Sequence, residues 1–199
     1  MALRFGFLIF DDAEELDFVG PWEVFTMANV VRPGTHDCVL IAEKDAAVRC
    51  RKGMRVIPDH TLEDAPPLDV LLVPGGQGTR REVNNKVLLD WIAAVAPRCQ
   101  WVTSVCTGAL LLTASGAAKG KRVTTHWGFV DQLRARGEAA EVLANYRYVR
   151  DGNLLTAAGV SAGIDMALWL TGELHGPDFA RAVQRQMEYD PAPPYAGLV

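Results

Sequence analysis

A single cysteine stands where the chain changes from strand-like to helix-like sequence. Cys106 follows the β-branched run WVTSV and has the small residues Ser104 and Gly108 beside it. A strand that turns directly into a helix forms a nucleophile elbow, which strains one residue and needs small neighbours. The N-terminus of that helix would favour a thiolate, so we expect Cys106 to be ionised near neutral pH. The same string also suits an ordinary buried thiol, because free cysteine is among the most buried residue types.

Asp17 is the acidic residue best suited to exchange protons with such a thiol. It lies between Leu16 and Phe18 in an apolar stretch before GPWEVF. Partial burial would raise the pKa of its carboxyl and suit it to general acid and base chemistry near neutral pH. The remaining acidic residues of this segment are expected at the surface: Asp11, Asp12, Glu14 and Glu15.

A glycine loop interrupts the apolar run DVLLV at residues 74 to 78, PGGQG. Gly75 and Gly76 allow close approach of a bound molecule, and their N–H groups would serve as an anion or oxyanion site at the end of a strand. A plain turn is the other interpretation, since glycine is a common turn residue. We expect this loop and the cysteine turn to meet, because ligands of parallel α/β sheets bind at the carboxyl ends of the strands.

Three further residues are candidates for the same site. His126, in VTTHWGF, would either approach Cys106 and pair with its thiolate or cap the helix that begins there through Nδ1. Trp22 and Trp127 are candidates for the walls of a small apolar pocket, although most tryptophans of this chain suit core positions.

Strand-like and helix-like segments alternate over most of the chain, which predicts an α/β fold with a mostly parallel sheet between helices. The predicted strands cover 4–10, 38–42, 69–73, 100–105, 146–149 and 154–157, with weaker signals at 48–50 and 54–58. A hairpin turn is expected at RDGN, 150–153. Pro21 indicates that the first helix begins near Gly20–Pro21, with 14–18 as a preceding loop. Later helices are predicted at 85–96, through Ala114 with Gly116 as a C-terminal cap, and at 177–187.

Composition limits the class of protein. The 199 residues contain no linker and no repeat and are 49% apolar, which predicts one domain over residues 1–199. A net charge of −4 without a run of like charge argues against nucleic acid or an anionic membrane as a partner, and RCRKGMR and GTRREV suit solvated loops. The start does not suit a signal peptide and no window holds 18 apolar residues, so a cytoplasmic protein is expected.

Cysteine and histidine spacing gives no metal signature. Cys38, Cys50, Cys99 and Cys106 form no C-x-x-C pair, and no histidine stands at ligand spacing, so free thiols and no metal or organic cofactor are expected. His36 and His60 are predicted to lie in loops.

Taken together, five motifs resemble the ThiJ/PfpI superfamily in order and spacing over nearly the full chain. They are D-x-x-GPWEVF (17–25), LLVPGGQG (71–78), SVCTGALLLTASG (104–116), VTTHW (123–127) and LLTAAGVSAGIDMAL (154–168). The resemblance implies a flavodoxin-like sandwich and a homodimer. Asp17, Thr107 and the ending MEYDPAPPY (187–195) are most similar to the isocyanide hydratases of this superfamily.

That likeness implies a reaction in which Cys106 attacks an isocyanide and forms a thioimidate, Asp17 transfers protons, and the N–H groups of Gly76 and Thr107 stabilise charge. Thr107 would also bind the substrate or the Asp17 carboxyl. Branches that resemble proteases carry histidine directly after the cysteine, and amidotransferases need a late His-x-Glu, whereas His175 is followed by Gly176. Neither pattern is present.

Two alternatives stay open. Domains similar to this chain form the sensor half of AraC-type regulators, and a thiol on this scaffold also suits glyoxal or redox-stress chemistry. Whether Asp190 joins Asp17, and whether residues 190–195 close over the cleft, is left open by the sequence.

Overall fold

A seven-stranded sheet forms the centre of the structure, a computed structural model that describes residues 2–191. Its strands follow the order β10-β11-β7-β6-β1-β2-β5, and all neighbours are parallel except the β10–β11 hairpin. The strands of this sheet are β1 (Leu3–Leu8), β2 (His36–Ala42), β5 (His60–Thr61), β6 (Val70–Val73), β7 (Trp101–Ser104), β10 (Tyr148–Asp151) and β11 (Leu154–Ala157). Two small sheets pair β3 (Val48–Arg49) with β4 (Arg55–Val56) and β8 (Arg122–Val123) with β9 (Glu141–Val142).

Helices cover both faces of the central sheet. The α-helices are α1 (Glu15–Val31), α2 (Thr79–Glu82), α3 (Lys86–Val95), α4 (Gly108–Ala114), α5 (Val130–Arg136), α6 (Ala162–His175) and α7 (Pro177–Gln186), with 3₁₀ turns at Ala96–Arg98 and Trp127–Phe129. Alternate strand residues point to opposite faces. Phe5 and Phe7 of β1 join the core beneath α1 and α6, whereas Leu8 joins the core beneath α3, α4 and α5. The predicted three-layer α/β sandwich is therefore confirmed.

The first helix begins earlier than predicted. It starts at Glu15, so Pro21 lies inside it and Asp17 lies in its first turn rather than in a loop. Proline lacks the N–H that would bond to the Asp17 carbonyl. The turn before it is held by tertiary packing, since Phe18 and Val24 are buried in the core. Packing of these side chains outweighs the local proline signal.

Other differences concern short or edge segments. The weak strand signals at 48–50 and 54–58 correspond to the hairpin β3–β4, and the predicted RDGN turn joins β10 to β11. His36 and His60 begin β2 and β5, so their assignment to loops was wrong. Residues 192–195 of the ending lie outside the described residues. Within residues 2–191, no helix combines the length and the apolar character needed to cross a membrane.

A histidine pair, in which His36 is buried and His175 is half-buried, joins the amino end of β2 to the carboxyl end of α6. Nε2 of His36 lies 2.8 Å from Nε2 of His175, and Nδ1 of His36 lies 2.9 Å from the Phe25 carbonyl oxygen. Arg32 donates to Nδ1 of His175 at 3.1 Å. When both rings are neutral, each of these ring nitrogens can match a donor with an acceptor. A proton added to either ring would place an N–H group against another donor. Burial, His175 and Arg32 lower the pKa of His36 to about 4, although its bond to Phe25 acts in the other direction.

This pair predicts a loss of stability in acid. The unfolded chain binds a proton at His36 below about pH 6.5, whereas the folded chain binds it only near pH 4. The free energy of unfolding should therefore fall by about 3 kcal/mol as pH drops from 6.5 to 4 because of this residue. Urea unfolding across this pH range gives the free energy of unfolding of the wild type and of His36→Gln. The difference between the two pH dependences isolates His36, because contributions common to both proteins cancel. His60→Gln is the control and should keep the wild-type slope. An unchanged slope in His36→Gln would contradict the assignment.

Candidate active site

Cys106 occupies the sharp turn between β7 and α4. Its φ of 56° lies in the left-handed region, which is a strained conformation for a residue with a side chain. Its N–H donates to the carbonyl oxygens of Ala157 and Ala158, at 3.2 and 2.8 Å. A Cβ on Gly108 would overlap the carbonyl oxygen of Val73, so a small residue is required there. The predicted sharp strand-to-helix turn at Cys106 is confirmed, and its role as a nucleophile stays a prediction.

Asp17 reaches the same turn from the first turn of α1. Its side chain is fully buried, and its Oδ2 accepts the Gly75 N–H at 2.8 Å. Among residues 2–191 its Oδ1 has no hydrogen-bond partner, and the nearby Cys106 thiol lowers the pKa of the carboxyl. A Cβ on Gly75 would lie 2.9 Å from Oδ2 of Asp17 and would overlap the N–H of Thr107. Glycine therefore lets the loop pass between the acid and the nucleophile turn.

Burial controls the ionisation of both groups. It raises the pKa of the Asp17 carboxyl to about 8, against the lowering effect of the Gly75 hydrogen bond, while Glu14 raises it further and Lys52 lowers it. Burial and the neighbouring Asp17 also raise the pKa of the Cys106 thiol to about 12. The prediction of a thiolate near neutral pH was wrong, because loss of hydration outweighs the favourable field of the short helix α4. At pH 7 both groups carry their protons.

Hydrogen-bond donors to the sulfur come from two chain segments. The N–H groups of Thr107 and Val160 and the Thr107 side chain lower the pKa of Cys106. Val160 has a φ of 47°, an outlying conformation for a β-branched residue. The sequence analysis missed Val160, because nothing in AAGVSAG indicates that its N–H turns toward a cysteine more than 50 residues earlier.

The glycine loop has a different use from the one predicted. The Gly75 N–H donates to Asp17, and the Gly76 N–H donates to Oγ1 of Thr107 at 3.0 Å. Both N–H groups therefore have partners within the protein, and the expectation of free donors on this loop was wrong. The loop orients the acid and the threonine.

The VTTHW segment supports the nucleophile turn from outside. Oγ1 of Thr125 donates to the Cys106 carbonyl oxygen at 2.8 Å, a contact that sequence reasoning missed. Nδ1 of His126 accepts the Gly128 N–H at 3.1 Å, which is the capping role considered for this residue. Its ring packs so closely on Gly159 that a Cβ there would overlap it.

The two tryptophan candidates have contrasting surroundings. Trp22 packs edge-on against Phe7, with 5.1 Å between ring centroids, whereas Trp127 is 83% exposed. Their role as pocket walls stays a prediction. Asp190 is exposed beyond the end of α7, and no contact joins it to Asp17 among the hydrogen bonds of residues 2–191. No cluster of three potential metal ligands occurs within that part of the chain.

Comparisons with known proteins identify the family and several relatives of this chain. Residues 4–172 match the DJ-1/PfpI family. The chain is 44% identical over 195 residues to the isonitrile hydratase of Pseudomonas putida, which covers 98% of this chain and 82% of that protein. It is 27% identical to the HTH-type transcriptional regulator CdhR of Pseudomonas aeruginosa, covering 94% of this chain and 55% of the regulator. The crystal structure of a ThiJ/PfpI family protein from Pseudomonas syringae superposes with a TM-score of 0.89 at 32% identity, covering 98% of this chain and 78% of that one.

The coupling of acid and thiol predicts a pH-dependent effect of Asp17→Asn on alkylation. Above about pH 8 the wild-type carboxylate opposes the thiolate, and the variant lacks that charge. Cys106 should therefore react with iodoacetamide about tenfold faster in the variant at pH 9.5, equivalent to one pKa unit, and at nearly the wild-type rate at pH 6. Intact-protein mass spectrometry measures both rates, with Cys106→Ala as background and Asp12→Asn as a control. Equal ratios at both pH values would show that Asp17 does not ionise between them.

Proposed function

This chain belongs to the DJ-1/PfpI family, and we propose that it is an isonitrile hydratase, a cysteine-dependent lyase that adds water to an isocyanide. The product is an N-substituted formamide. The observation that carries this proposal is the buried pair of Asp17 and Cys106, both protonated at pH 7. The 44% identity to an isonitrile hydratase over nearly the whole chain supports the same reaction.

An uncharged acid and thiol suit the first step of this reaction. The terminal carbon of R–N≡C must gain one bond to sulfur and one to hydrogen. The Asp17 carboxyl gives its proton to that carbon while the Cys106 sulfur attacks it and passes the thiol proton to the carboxylate so formed. The product is the thioimidate R–N=CH–S–Cys106, and Asp17 is again protonated. No full charge has to be created in this buried site.

The second step returns the enzyme to its starting state. Water adds to the thioimidate carbon, the nitrogen gains a proton, and the C–S bond breaks to give R–NH–CHO and the Cys106 thiol. Asp17, the acid near the sulfur, gives its proton to the nitrogen and takes one from the water; it then protonates the leaving sulfur and takes the hydroxyl proton of the adduct. The N–H groups of Thr107 and Val160 stabilise negative charge that develops on sulfur as it leaves.

Burial of the sulfur restricts the substrates that reach it. Cys106 is 7% exposed and Asp17 is fully buried, so only a slender reactive group can reach the sulfur. An isocyano group is linear and its terminal carbon bears no substituent. It can therefore contact the sulfur while its R group stays outside, and the reaction needs no metal or organic cofactor.

Substitution of the acid and the nucleophile tests the proposal. Cys106→Ala and Cys106→Ser should lower formation of N-cyclohexylformamide from cyclohexyl isocyanide by more than about a thousandfold, because no thioimidate can form. Asp17→Asn should lower it by about a hundredfold to ten-thousandfold through loss of the proton donor. Product is measured by proton NMR. Cys99→Ala, which removes a buried thiol outside the site, is the matched control and should keep wild-type activity.

Two results would contradict this function. Retention of formamide production in either Cys106 variant would reject covalent catalysis at that residue. A wild-type protein that turns over methylglyoxal but no isocyanide would instead assign it to glyoxal chemistry, and one that turns over neither would favour a ligand sensor. The last outcome has a precedent in the likeness to a transcriptional regulator of which this chain covers about half.

We also propose that the protein acts as a homodimer. Large apolar side chains are exposed near the start of α1 and on the hairpin region that packs beside it: Leu16, Met54 and Ile57. Light scattering coupled to size-exclusion chromatography should give twice the chain mass of 21.7 kDa. Ile57→Asp, at the most exposed of these residues, should shift the mass toward the monomer, whereas Val87→Asp on α3 is the control. A wild-type mass of one chain would reject the dimer.

A further inference from the structure

The N–H of Thr107 is a buried donor without a partner. Thr107 is buried, and its N–H makes no hydrogen bond among those of residues 2–191. Buried backbone N–H groups are almost always paired, so an unpaired one beside a thiol indicates a place for negative charge. A Cβ on Gly75 would lie 2.4 Å from this nitrogen and 2.9 Å from Oδ2 of Asp17. The Thr107 N–H therefore borders the space shared by the glycine loop, the acid and the nucleophile turn.

The peptide that carries this N–H is held from its other side. It joins Cys106 to Thr107, and its carbonyl oxygen accepts the bond from Oγ1 of Thr125 at 2.8 Å. A trans peptide is planar, with its C=O and its N–H in opposite directions. The bond to Thr125 therefore fixes the direction of the Thr107 N–H as well. A hydrogen bond to the carbonyl also polarises the peptide and strengthens its N–H as a donor.

Thr125 is itself anchored by the residue that precedes it. The Thr124 N–H donates to Oγ1 of Thr156 at 2.8 Å, and Oγ1 of Thr124 donates to the Leu143 carbonyl oxygen at 2.8 Å. Thr156 belongs to β11, the strand beside β7, so the segment is tied to the same sheet as the nucleophile turn. All three threonines are buried. The Thr125 hydroxyl is therefore held in place beneath the Cys106 carbonyl by the sheet itself.

We propose that Thr125 is a positioning residue that, through the peptide between Cys106 and Thr107, directs the Thr107 N–H toward negative charge at the sulfur. The same N–H is among the groups that lower the pKa of the Cys106 thiol. Its effect is greatest when the sulfur carries negative charge, as a thiolate or as the group leaving the thioimidate. The proposal rests on the proposed function only for the second of these cases.

Alkylation of Cys106 tests this role without an isocyanide. Thr125→Val keeps the shape of the side chain and removes its hydroxyl, so the Thr107 N–H should be less well directed and the pKa of the thiol should rise. The rate of reaction with iodoacetamide at pH 8.5 should fall by about three- to tenfold, equivalent to a half to one unit in that pKa. Thr171→Val is the matched control, because this buried hydroxyl donates to the Ala167 carbonyl oxygen within α6.

A conservative variant separates hydrogen bonding from packing. Thr125→Ser loses the methyl group but keeps the donor, so its alkylation rate should return to near the wild-type value. Equal slowing in Thr125→Ser and Thr125→Val would assign the effect to packing, and a wild-type rate in Thr125→Val would show that the hydroxyl does not act on the sulfur; either result would overturn the proposal. Thr125→Ala should slow alkylation as Thr125→Val does, and it is made in parallel so that the test does not depend on the folding of one variant.

The hydratase assay gives a second measure of the same role. Turnover of cyclohexyl isocyanide by Thr125→Val should show a lower kcat with little change in KM, because the Thr107 N–H acts on charge that develops after the substrate has bound. A raised KM at an unchanged kcat would contradict this role in the reaction. Alkylation that responds as expected in a protein without hydratase activity would reject the proposed function and leave the role of Thr125 intact.

Discussion

Desolvation of the Asp17 carboxyl is the constraint on which the rest of the site depends. The side chain has no exposed surface, and one hydrogen bond from the Gly75 N–H does not replace the water that a carboxylate would lose. The group therefore keeps its proton at neutral pH. Ionisation of Asp17 would in turn oppose a thiolate at Cys106, so the two residues share a proton balance and behave as one unit.

The order of strands in the sheet brings this unit together. The β1 strand leads to Asp17, β6 to the glycine loop, β7 to Cys106 and β11 to Val160, and these four strands are consecutive neighbours in the sheet. Because they are parallel, their carboxyl ends meet at one edge, where the loops that follow them converge. Backbone strain at Cys106 and Val160 is tolerated there because the surrounding segments hold both residues in place.

Burial also controls the ionisation of side chains at the opposite edge of the sheet, where the parallel strands begin. His36 and His175 are kept neutral by burial and by partners that suit only the neutral rings. That pair joins α1, β2 and α6 without any link to the sulfur. At the edge where the strands end, the hydrogen bonds of Thr107 and Thr125 instead hold the turn at Cys106 in position. Burial therefore keeps titratable groups neutral at both edges of the sheet.

The sequence by itself determined the features that depend on neighbouring residues. The β-branched run before Cys106 and the small residues around it predict the elbow, and the apolar neighbours of Asp17 indicate a buried acid. Alternation of strand-like and helix-like segments was sufficient for the three-layer α/β fold.

Only the tertiary structure decided the protonation of Cys106, the partners of Gly75 and Gly76, and the start of α1 ahead of Pro21. The loss of hydration at a thiol is a sum over everything packed around it, including Asp17, which lies 89 positions earlier in the chain. A short stretch of sequence therefore cannot predict the pKa of the Cys106 thiol. The contacts of Val160 and Thr125 with the nucleophile turn have the same origin, since they exist only after distant segments have packed together.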